Sequence, residues 1–151
     1  MKVNRLLTSA LAGLLAVLSP AAAHALDYRS VAVAHAVMFD APSAQGKKLY
    51  IVSQYTPVEI IVNLGEWLKV RDSAGELAWL EGKSLSAKRT VVVTAPHSEA
   101  HEAADAAAAV VFRADKDVAL ELIEPATSGW AKVRHRDGMT GYIPAAQVWG
   151  L

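Results

Sequence analysis

Trp67-Leu68-Lys69-Val70-Arg71 returns 63 residues later as Trp130-Ala131-Lys132-Val133-Arg134, and this recurrence decides how the rest of the chain is read. At the same displacement Gly75 meets Gly138, Trp79 meets Tyr142, Leu80 meets Ile143 and Leu85 meets Val148. Upstream, Val58-Glu59-Ile60 matches Leu120-Glu121-Leu122 at 62, and Ala41-Pro42 matches Ala95-Pro96 at 54. The offset thus grows by eight and then by one, with both insertions placed in loop-forming stretches of Gly, Ala, Ser or Pro. Self-similarity at a fixed period signals a duplication, with units over residues 30–87 and 88–151.

Each unit reads as short strands rich in β-branched and aromatic residues. In the first these are Val31 to Phe39, Leu49 to Val52, Val58 to Val62, Trp67 to Arg71 and Leu77 to Leu80. The second repeats them as Thr90 to Thr94, Val110 to Arg113, Val118 to Ile123, Trp130 to His135 and Thr140 to Ile143. Asp72-Ser73-Ala74-Gly75 and Arg136-Asp137-Gly138 supply hairpin turns between strands. No long amphipathic helix is written anywhere in either unit. An all-β chain of two small curled barrels is the expectation, because a short sheet must hide its edges. A unit of about 60 residues buries only about 60% of its unfolded surface, so the two should pack together.

Residues 1–25 stand apart from the repeats. Lys2 and Arg5 precede the uncharged run Leu6 to Leu18, and Ala23-His24-Ala25 places small residues at the cleavage-critical positions, which is the pattern of a secretory signal peptide. Such a run is too short to span a bilayer. Without it the chain has 126 residues and, at 13 basic against 15 acidic side chains, a net charge of −2, a balance that argues against nucleic acid as a partner. Cysteine is absent, which excludes disulfides, thiol catalysis and cysteine-ligated metals. The compartment so implied is the periplasm or the exterior.

The pattern Gly-x-Trp-x-Lys-Val-Arg followed by Gly-x-x-Gly-Trp/Tyr resembles that of bacterial SH3 domains. It is carried by Gly65, Trp67, Lys69, Val70, Arg71, Gly75 and Trp79, and again by Gly129, Trp130, Lys132, Val133, Arg134, Gly138, Gly141 and Tyr142. An Ala-Pro after the first strand of each unit adds to the likeness, and Gly141-Tyr142-Ile143-Pro144 is similar to the closing strand and turn of SH3 barrels at large. The resemblance implies two tandem SH3-like barrels that bind cell-wall peptides or tether an envelope protein, without catalysis and without a cofactor. Two departures stand out. Gln147 occupies the place where proline-peptide-binding SH3 domains carry an aromatic, and Glu81 stands where the second unit has Pro144. The slots that grip a polyproline helix are therefore incomplete.

Alternation places Trp67, Lys69 and Arg71 on one strand face and Leu68 and Val70 on the other; Trp130, Lys132 and Arg134 likewise oppose Ala131 and Val133. An aromatic beside cations suits an amphiphilic anionic ligand through cation–π and carboxylate contacts, with Tyr142 adding a second ring. The competing reading is that each Trp caps a core rim while Lys and Arg keep the surface soluble. The alternative chemistry lies at His97 to Asp105, where His97, His101 and Asp105 would share a helical face at zinc-chelating spacing, and His101-Glu102-Ala103-Ala104-Asp105 mimics H-E-x-x-H with an Asp in place of the second histidine. That is the basis for a small envelope hydrolase or metal-dependent enzyme. The opposed reading is an exposed Ala-rich loop inside the eight-residue insertion, dispensable for folding.

Overall fold

A computed structural model describes residues 26–151; residues 1–25, where the sequence leads one to expect a signal peptide, lie outside the described residues. The first half forms β1 (Tyr28–Val31), β2 (His35–Phe39), β3 (Lys48–Ser53), β4 (Pro57–Asn63), β5 (Trp67–Arg71), β6 (Leu77–Glu81) and β7 (Leu85–Ser86). The second half forms β8 (Thr90–Val93), β9 (His97–His101), β10 (Val110–Asp115), β11 (Ala119–Thr127), β12 (Trp130–Arg134), β13 (Thr140–Pro144) and β14 (Val148–Trp149). The first sheet runs β3-β2-β6-β5-β4-β1-β7 and the second β10-β9-β13-β12-β11-β8-β14, the same order position by position. All pairings are antiparallel, and a 3-10 turn precedes the last short strand of each sheet, at Gly82–Ser84 and Ala145–Gln147.

The alternation written in the sequence sets the inner faces. Leu68 and Val70 of β5 join Val31, Met38, Val58 and Leu80 in one buried cluster. Ala131 and Val133 of β12 join Val91, Val93, Leu120 and Ile143 in another. The two cores use different side chains to fill equivalent space. Where the first places Met38, Tyr50 and Leu68, the second places Ala100, Phe112 and Ala131. At the hairpin turns Gly75 (φ 89°) and Gly138 (φ 95°) adopt left-handed backbone that other residues enter at a cost. In the first turn the Asp72 carboxylate accepts from the backbone N–H groups of Ala74 and Glu76, each at 2.9 Å.

The structure corrects the alignment of the repeats. His35–Phe39 and His97–His101 are equivalent strands, each followed by a loop of the same length, so the displacement is 62 residues all the way from β1 to β4 (28 to 90, 57 to 119). There is no eight-residue insertion. Ala41-Pro42 follows β2 whereas Ala95-Pro96 precedes β9, so that match is between unlike positions. Thr90 to Thr94 is the counterpart of β1, and Val31 to Phe39 is two strands rather than one, broken at Ala32 to Ala34. The single net extra residue lies in β11, which is longer than β4 and shifts register after Leu122 and after Glu124.

Side chains bind the halves to each other. Thr90, almost fully buried, donates its hydroxyl to the Tyr55 carbonyl at 2.7 Å. The Tyr28 ring meets Trp149 edge-on at 5.1 Å, and the Arg89 guanidinium lies over the Tyr28 ring, 5.4 Å from its centroid, while donating to the Gly150 carbonyl at 2.9 Å. A Cβ on Gly150 would come within 2.9 Å of the Thr90 carbonyl oxygen and 3.1 Å of Pro57, so the C-terminal turn passes the first repeat where only hydrogen fits.

Candidate functional site

Extended backbone and antiparallel register place Lys132 opposite Tyr142, Trp130 opposite Pro144 and Arg134 opposite Thr140. Lys132, Tyr142 and Trp130 thus form one strip on the outer face of β12 and β13. Lys132 Nζ lies 5.7 Å from the Tyr142 ring centroid and donates to Glu124 at 2.9 Å, a bond that holds its ammonium above the ordinary lysine range. Arg134 reaches Glu121 at 3.7 Å. The first repeat shows the same construction. Arg71 reaches Glu59 at 3.3 Å, and Lys69 lies 6.0 Å from the Trp79 ring centroid. These cations act as a surface strip already partnered by carboxylates and rings, so a ligand gains from them mainly by exchange of partners.

The two tryptophans differ. Trp67 is only 9% exposed, with the Phe39 ring set edge-on against it at 5.3 Å. Trp130 is partly exposed, and the side chain in the place of Phe39 is His101, on β9 beyond β13, edge-on at 5.6 Å. A hollow of about 290 Å³ lies beside Trp130, walled by Ser98, His101, Pro144 and Gln147. Ser98 donates its hydroxyl to the Gln147 side chain at 2.5 Å. His101 Nδ1 lies 2.8 Å from the Ala108 carbonyl oxygen, which can only accept. Nδ1 therefore donates, and in the neutral ring Nε2 is the nitrogen that can accept from a ligand N–H.

His101, Ser98 and Gln147 were absent from the residues that the sequence singled out for binding. The signal was present, since a displacement of 62 aligns His101 with Phe39, but matching Ala41-Pro42 to Ala95-Pro96 hid it. The same strand disposes of the helical chelate. His97–His101 is extended, so its two histidines are about 13 Å apart along the backbone, and zinc needs its ligand nitrogens about 2 Å from a single ion. His97 instead pairs with Asp115 at 2.9 Å, and Asp105 accepts from the Ala107 N–H at 2.9 Å within its own turn. Among the described residues no three His, Asp or Glu side chains gather as a metal site, and no helix is long and apolar enough to cross a membrane.

The family description "Bacterial SH3 domain" matches residues 32–87 and 99–150. Among solved structures, NlpC2 from Trichomonas vaginalis is 12% identical over 83% of this chain and 48% of its own, with a TM-score of 0.38. NlpC1 from the same organism is 13% identical over 90% of this chain and 50% of its own, at 0.39. An NlpC/P60 family protein from Bacillus cereus ATCC 10987 is 13% identical over 81% of this chain and 55% of its own, at 0.38. The chain spans about half the length of each. A search of curated proteins finds no match.

Proposed function

We propose, for a chain that belongs to the bacterial SH3 domain family, the role of an exported, non-enzymatic binding module of the cell envelope. Its second repeat holds a cell-wall peptide, or a peptide segment of an envelope protein, in the hollow beside Trp130. The observation that carries this reading is the pairing of Trp130 with His101 where the first repeat pairs Trp67 with Phe39. A partly exposed indole offers a flat apolar wall. The His101 lone pair, the Ser98–Gln147 pair and the Lys132–Tyr142 strip supply the polar contacts that fix a peptide's direction.

Lys132 in this strip and Arg134 beside it serve ligand carboxylates, while Trp67, Lys69 and Arg71 form its duplicate with the aromatic end closed. Export follows from residues 1–25, with the periplasm or the exterior as destination. The test is co-sedimentation of the purified protein with purified sacculi, run beside a zymogram on the same material. Saturable sedimentation without a clearing zone supports the reading; clearing, or no sedimentation at any concentration, contradicts it.

A further inference from the structure

The turn between β3 and β4 and the turn between β10 and β11 are duplicates. Each carries a non-glycine residue in left-handed backbone at the same place, Tyr55 (φ 69°) and Asp117 (φ 68°). In the tandem they face each other across a cleft of about 480 Å³, with Thr90 on its wall and the β12–β13 hairpin along one side. The volume is that of a site for a small ligand or a few residues of peptide.

Here the duplicated hairpins differ most in charge. The first reads Arg71-Asp72-Ser73 and the second Arg134-His135-Arg136, and it is the basic version that lines the cleft. Lys88 joins it from the connecting segment, its ammonium 5.2 Å from the Tyr55 ring centroid. Lys88 and Arg134 share one carboxylate, Glu121, at 3.2 and 3.7 Å. Among the described residues Arg136 is in no ion pair, and its side chain is exposed. Three permanent cations therefore meet two carboxylates, Glu121 and Asp117, around the cleft.

We propose that this cleft between the repeats binds the free carboxylate end of a short peptide, with Arg136 as the guanidinium that grips it and Lys88 beside it. A surplus of one positive charge matches a monoanion. A phosphate dianion would have to sit close to Asp117 and Glu121. A planar guanidinium matches a carboxylate bidentately, and the Tyr55 ring provides the apolar wall against which the last side chain rests. The proposal shares with the Trp130 reading the peptide nature of the ligand and Arg134, which borders the Trp130 strip and also lines this cleft; the cleft and the hollow beside Trp130 have no lining residue in common.

The experiment titrates the full protein at low salt with tetra-alanine carrying a free C-terminal carboxylate, then with its C-terminal amide, then with inorganic phosphate, following backbone amide shifts. The proposal expects the free acid to move the signals of Gln54, Arg136 and Gly138, the amide to bind at least about tenfold more weakly, and Arg136→Ala to cause a similar loss. Trp130→Ala should leave this titration unchanged whatever it does to wall binding, so failures of the two readings are distinguishable. Shifts confined to the Trp130 hollow, equal binding of acid and amide, tighter binding of phosphate than of the peptide, or an unchanged affinity in Arg136→Ala would each overturn it.

Discussion

Trp67 and Trp130 open equivalent strands, yet Trp67, set against Phe39, is buried, and Trp130, set against His101, is partly exposed. Truncating a buried aromatic costs about 3–5 kcal/mol, a large part of the roughly 5–15 kcal/mol typical of a domain. Trp67→Ala should therefore lower the urea midpoint sharply, as read by circular dichroism. His101→Phe supplies the reverse case. The first repeat already accommodates Phe at that place, so the melt should change little while sacculus binding weakens as the hollow fills. A melt that collapses in His101→Phe would show that the imidazole bond to Ala108 holds the fold. The alternation that put Leu68, Val70, Ala131 and Val133 inside was legible from period two alone. The fate of each Trp was not, because it depends on a neighbour from another strand.

At the level of elements, β9 is the instructive failure. His97-Ser98-Glu99-Ala100-His101 has neither β-branched nor aromatic residues, so local preference gives no strand. Pairing with β10 and β13 imposes one, burying Ser98 and Ala100 and satisfying the Ser98 hydroxyl through Gln147. Removal of residues 97–104 should accordingly abolish the cooperative unfolding of the second repeat, the opposite of what an Ala-rich loop insertion would give. A melt unchanged by that deletion would contradict the assignment.

Tyr50 on the edge strand β3 provides a pH test of the first sheet. Burial first, and then the neighbouring Asp72 whose carboxylate accepts its hydroxyl at 3.1 Å, push its pKa up to about 12. The folded state thus holds this proton more tightly than the unfolded chain, whose ordinary value is 10.0. The contribution is intact below about pH 10 and is lost as pH rises through about 12. Urea melts between these limits should show stability falling with pH in the native protein and a shallower fall in Tyr50→Phe. Parallel slopes would mean that Tyr50 ionises freely in the folded state.

Over the whole molecule, the duplication and the all-β architecture were readable from Trp-x-Lys-Val-Arg and the turn glycines, whereas the contacts between repeats were not. Thr90, Arg89 and Gly150 look like ordinary linker or terminal residues until they meet Tyr55, Tyr28 and Pro57. Because these contacts cover what each small sheet would otherwise expose, residues 26–87 alone should unfold at lower urea than the full protein. Equal stability of the fragment would mean that the interface stabilises nothing. The central claim is that wall recognition resides in the second repeat's open aromatic hollow, and its most direct measurement is the sacculus-binding isotherm of Trp130→Ala with thermal melts in parallel. The account predicts a cooperative melt and affinity reduced about tenfold or more, as for a buried aromatic anchor; native affinity in a folded Trp130→Ala protein would contradict it.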